Sequence, residues 1–138
     1  MKLKPDCIRD VMIEIENTWE LELDGHGNIN MPTIPISDMY DALPRHDKRD
    51  IFYSLYNLQQ AGYVDLTIVW TDGGIAYHCQ INRMTYDGHE FLNQIRDAKH
   101  WSKIKKGLDA VRNYSLDAIS AMAEGVANAA IAAALNEM

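Results

Sequence analysis

The sequence predicts an α+β domain followed by a C-terminal alanine-rich helical extension. Three observations carry that. Apolar residues recur at helical spacing in several segments, two β-rich runs flank an Asp-Gly pair, and the last 23 residues are dominated by alanine. The 138 residues, 47% of them hydrophobic, suffice for one core and exclude a disordered chain. Two cysteines exclude a disulfide scaffold. The N-terminus meets Pro5 and Asp6 before any apolar run, which predicts no signal peptide and a cytoplasmic protein.

Lys4-Pro5-Asp6 opens the first helix, with proline and an acid in its first turn. Cys7, Ile8, Val11, Met12 and Ile15 form its apolar stripe. Trp19-Glu20-Leu21-Glu22-Leu23 alternates as a half-buried strand does, and Asp24–Asn28 is a turn. Pro32 and Pro35 stiffen the next stretch. A short helix begins at Ser37 or Asp38 and ends near Pro44, and a longer one runs from Arg45 to Ala61. Ile51, Leu55 and Leu58 are its inward positions, and Gly62 stops it.

Tyr63–Trp70 and Ile75–Arg83 then flank Asp72-Gly73, the preferred pair for a two-residue hairpin turn. With that pair as the loop, Trp70 meets Ile75, Ile68 meets Tyr77, Leu66 meets Cys79 and Val64 meets Ile81, all on one apolar face. The opposite face is mostly polar. Thr85 caps a helix through Phe91, Leu92 and Ile95, which either continues or breaks near Asp97 before Ile104 and Leu108. Ser115 caps the final helix.

Helix, strand, helix, helix, strand, turn, strand is the order of a winged helix-turn-helix-like domain. The 72–73 turn would be the wing and residues 45–61 the recognition-position helix. The expected division is a winged-helix-like domain at 1–97 and an oligomerising helical extension at 98–138. Pro5-Asp6-Cys7-Ile8-Arg9-Asp10, Leu58-x-x-Ala61-Gly62-Tyr63 and Met84-Thr85-Tyr86-Asp87-Gly88-His89-Glu90-Phe91-Leu92 resemble an uncharacterised family of short bacterial and prophage proteins, over roughly residues 1–120. The resemblance implies winged-helix architecture and a mobile-element context, and it brings no established activity.

Charge is unevenly placed: −6 over residues 1–44, +2 over 45–112 and −3 over 113–138, for a net −7. The acidic average argues against a general nucleic-acid coat but leaves room for a local basic surface. No catalytic, cofactor or metal site is legible. His78 and Cys79 point to opposite strand faces, and His89-Glu90-Phe91-Leu92-Asn93 lacks the second histidine of a zinc-protease helix. Gly25-His26-Gly27 is followed by prolines, not by the helix a phosphate loop needs.

Two surfaces are candidates for a nucleic-acid or other anionic partner. One is the outer face of the 45–61 helix, with His46, Arg49, Tyr53, Asn57 and Gln60, set against Asp47 and Asp50 on the same surface. The other is a basic row, Arg96, Lys99, Lys103 and Lys106, which needs an unbroken helix through Asp97. In the tail, Ala121, Gly125, Ala129 and Ala133 form a small-residue ridge suited to close helix contact, which predicts a homo-oligomer. Leu116, Ile119, Ala123, Val126, Ala130 and Ala133 trace a short heptad seam. Asp117, Glu124 and Asn128 interrupt the tail as a membrane span, which makes a span the weaker reading beside self-association. The leading expectation is nucleic-acid-linked regulation; the alternative is docking on a host protein, with perturbation of membranes through the alanine-rich helix as a third, weaker one.

Overall fold

The structure, a computed structural model, describes all residues from Met1 to Met138. It is an α+β fold with six helices and two small antiparallel sheets. Helix α1 spans Pro5–Thr18, and its buried residues are the five of the sequence stripe. The expected strand at 19–23 shrinks to β1, Glu22–Leu23, which pairs only with β2, Ile29–Asn30, in a solvent-exposed ribbon. Trp19 takes another role. Its indole N–H lies 2.7 Å from the Asn82 carbonyl and 3.0 Å from that of Pro32, tying the end of α1 to the central sheet.

The strand that completes that sheet is β3, Ile34–Pro35, in the stretch that proline content marked as a stiff connection. Pro35 is tolerated because β3 is an edge strand. Helices α2 (Ile36–Ala42) and α3 (Lys48–Gln60) follow, then β4 (Val64–Trp70) and β5 (Ala76–Met84). The sheet order is β3-β5-β4. Helix α3 starts three residues later than the sequence pattern suggests, because Asp10 on α1 binds both Arg45 (2.8 Å) and His46 (2.7 Å). Asp47 becomes its N-cap, accepting from the Arg49 amide. Gly62, at φ +80, ends the helix as expected.

The hairpin turns at 72–73, but its register differs from the expected one. Neither Asp72 nor Gly73 takes positive φ, whereas Gly74 does (+77), so the loop has three residues and Thr71 closes on Ile75. That moves the pairing by one position, and a bulge between Val69 and Trp70 moves it by another. Leu66 therefore faces Ile81, and Cys79 faces Ile68. A shift of two keeps each side chain on its face, so Leu66 and Cys79 are still buried. Trp70, Ile75 and Tyr77, expected on the buried face, lie beyond the core's reach and are 49%, 66% and 78% exposed.

Helix α4 (Tyr86–Ile95) starts at Thr85, whose hydroxyl accepts from the Gly88 amide. Asp97 caps α5 (Ala98–Val111), so the two helices are separate. Arg9 donates to the Ile95 and Arg96 carbonyls at that break, and the Trp101 indole donates to Asp6 at 2.8 Å. These three bonds clamp α1 onto the α4–α5 corner. Ser115 caps α6, Leu116–Asn136.

One core cluster of 24 buried residues runs through the sheet and all six helices. It passes position 97 without a gap, taking in Trp101, Ile104, Leu108, Leu116, Ile119 and Ala123. The first half of the heptad seam thus packs on this domain's own α4 and α5. Past Val126 the helix is mostly exposed, including Ile131 and Leu135. By length and composition α6 is apolar enough to cross a membrane, with mean hydropathy 1.5 over its best window.

Candidate binding surfaces

The outer face of α3 is less cationic than its sequence. Arg49 is held by its own helix cap, with Nε 3.1 Å from the Asp47 carboxylate. This bond pulls the Asp47 carboxyl below its usual range and pushes the guanidinium up. Lys4 pairs with Asp50 at 3.2 Å, and Arg45 and His46 share Asp10. Lys48 sits 5.5 Å from the Tyr40 ring centre. Of these five basic side chains, only Lys48 has no carboxylate paired with it.

Tyr53, Asn57 and Gln60 do not stand on an open helix face. They form one wall of a cleft of about 950 Å³ whose opposite wall is the α5–α6 corner, residues 112–117. The Asn57 amide also donates back to the Tyr53 carbonyl at 2.8 Å.

The basic row is shorter than expected. The break at Asp97 puts Arg96 at the end of α4, where it pairs with Glu16 and donates to Asn93 at 2.8 Å. Lys99, Lys103 and Lys106 are all on α5, exposed and without an ion-pair partner. Their neighbour Lys105 is spent on Asp6, 3.2 Å away.

Lys103 and His100 lie beside the ridge of α6. Together with Ala121, Gly125, Ala129 and Ala133 they line a groove of about 400 Å³. This groove shares no residue with the α3 cleft. A methyl added at Gly125 would meet no atom within 4 Å beyond its chain neighbours and the adjoining backbone of α6 itself. Glycine costs about 1 kcal/mol against alanine inside a helix, and nothing in the fold requires it here.

A further feature escaped the sequence reading. Phe52 and Tyr56 on α3 stack at 6.5 Å, and Trp70 of the hairpin meets Phe52 edge-on at 6.0 Å. Trp70 and Tyr56 remain substantially exposed, so this edge of the molecule is aromatic. The i, i+4 spacing of Phe52 and Tyr56 was the available signal, but pairing with Trp70 depends on the hairpin register. Cys7 and Cys79 are free and buried, and burial pushes the Cys79 thiol up to about 11.

The known family described as hypothetical protein (DUF2513) matches residues 2–114, more than three quarters of the chain. The chain belongs to the DUF2513 family. The match takes in α1 through α5 and stops just before α6, so the ridge-bearing helix lies outside the part of the chain matched to DUF2513. No curated protein and no solved structure matches the chain.

Proposed function

We propose that this DUF2513 member is a non-enzymatic winged-helix binding module of phage or prophage type, working in nucleic-acid-linked regulation in the cytoplasm. The observation that carries the reading is the topology. An edge strand, two helices and a long hairpin, with sheet order β3-β5-β4, follow α1 in the winged-helix succession. In this reading α3 is the recognition-position helix and β4–β5 is the wing.

Charge decides where the phosphate contact falls. Arg49 is neutralised by Asp47, so α3 makes a poor phosphate clamp. Lys99, Lys103 and Lys106 keep their charge unpaired, so the contact belongs to α5. Self-association through α6 brings two such rows into one assembly, and Gly125 supports it by leaving room for a close-packed partner helix. Gly125→Leu is expected to reduce the mass in solution to that of the monomer, and Asn136→Leu to leave it unchanged. Light scattering distinguishes these, and a monomeric parent chain at high micromolar concentration contradicts the assembly.

The aromatic edge of Phe52, Tyr56 and Trp70 favours a second reading, in which that edge docks on a host protein. Substitution separates the two. If nucleic acid is the ligand, Lys103→Ala and Lys106→Ala each weaken binding to duplexes of any sequence, and Trp70→Ala weakens it less. Fluorescence anisotropy with two unrelated duplexes measures this. Equal affinity of the lysine variants and the parent overturns the assignment to α5.

A further inference from the structure

A cleft lies between α3 and the α5–α6 corner. Its volume of about 950 Å³ is at the upper end of the ~300–1,000 Å³ typical of small-molecule sites. Tyr53, Asn57 and Gln60 come from α3, Lys2 from the N-terminus, and Arg112 and Tyr114 from the corner. The charges are two cations, Lys2 and Arg112, and two carboxylates, Asp109 and Asp117. Asp109 accepts from the Tyr114 hydroxyl at 2.6 Å, and Asp117 sits in the first turn of α6, where the helix dipole favours an acid. Neither Lys2 nor Arg112 has an ion-pair partner.

Arg112 is the anomaly. It is the one non-glycine residue with positive φ (54°), at the C-terminal end of α5. Helices commonly end on a left-handed glycine, and α3 does so with Gly62. Glycine would serve the backbone better after α5 as well, yet an arginine is held there, and it lines the cleft. The cleft thus joins a cation held in a strained backbone position, a second cation, the amide side chain of Gln60 and two tyrosine rings from facing walls. Amides match the hydrogen-bonding edge of a nucleobase, aromatic rings its face, and a guanidinium its phosphate.

We propose that this cleft binds a mononucleotide, with Arg112 and Lys2 on the phosphate and Tyr53, Gln60 and Tyr114 around the base. Such a ligand bridges α3 to the root of α6, so binding couples the winged domain to the helix that self-associates. The assignment does not depend on contact with a polynucleotide, which falls on α5.

Isothermal titration of the full chain with the four common ribonucleoside monophosphates, their nucleosides and inorganic phosphate tests the site. At least one monophosphate is expected to saturate at a Kd below ~1 mM, with its nucleoside binding at least about tenfold more weakly. Arg112→Gly is expected to weaken that monophosphate by about tenfold or more while the unfolding temperature stays level or rises, since glycine relieves the backbone. Gln60→Ala provides a second variant, on an exposed side chain that the core does not use. No saturable monophosphate, or inorganic phosphate binding as tightly as any nucleotide, overturns the proposal. So does an Arg112→Gly variant of unchanged affinity.

Discussion

Gly88→Ala is expected to destabilise the fold by about 2–3 kcal/mol, the reverse of what the same change does on an exposed helix. Gly88 lies in the first turn of α4, where alanine would normally gain about 1 kcal/mol in helix propensity. A Cβ at this position would fall on the Tyr63 carbonyl oxygen and within 2.8 Å of Met84 Cγ. The Tyr63 carbonyl cannot retreat freely, because it accepts from the Thr85 amide at 3.1 Å. Thr85 in turn donates its hydroxyl to the Gly62 carbonyl and accepts from Gly88. The start of α4 and the start of β4 are thus fastened together, with only a hydrogen's width between them at Gly88. Urea unfolding of the variant measures the loss, and a variant as stable as the parent contradicts this packing.

Cys79→Asp is expected to cost about 3 kcal/mol or more at neutral pH, and the cost should depend on pH in a particular direction. Cys79 is 7% exposed on the core face of β5, and burial alone holds its thiol at about 11, two above the usual value. The same environment disfavours an ionised carboxylate, so the new side chain takes a folded-state pKa above its unfolded value of about 3.9. Below that unfolded value both states are protonated, and the variant is closest to the parent. As pH rises beyond it, the unfolded chain releases its proton first and stability falls until the folded carboxyl also ionises. Unfolding curves at several pH values test this. A gap between variant and parent that is small and constant with pH would place Cys79 in water.

Much of this fold is legible wherever local chemistry decides the outcome. The five-residue stripe of α1 is complete in the sequence because its burial follows helical period alone. Thr85 and Ser115 are legible as caps for the same reason, since a cap bonds its own first turn. What is not legible depends on partners distant in sequence. Ile34–Pro35 has no strand pattern and is a strand only because β5 offers it an edge. Arg45 and His46 leave α3 because Asp10 draws them away. The hairpin register turned on which glycine takes positive φ, and Asp72-Gly73-Gly74 offered two candidates.

The candidate surfaces divide in the same way. The ridge of Ala121, Gly125, Ala129 and Ala133 follows from helical spacing, and the structure leaves it next to an open groove. The basic row loses Arg96 to a helix break that Asp97 made visible as one of two outcomes. The face of Tyr53, Asn57 and Gln60 has the right helical position but an opposing wall, residues 112–117, far later in the chain, which no local pattern reveals.

The salt dependence of polynucleotide binding tests the central claim most directly. Three unpaired lysines on α5 that each neutralise one phosphate give a slope of log K against log salt of about −2.7 for each protomer's row seated on duplex DNA. Lys103→Ala should bring it to about −1.8 without changing which sequences are preferred. An anisotropy titration of full-length protein over a salt series from ~50 mM upward, where phosphate contacts are strongest at the low end, yields both slopes. No binding of DNA or RNA at the lowest salt, or a slope that Lys103→Ala leaves unchanged, would contradict the account.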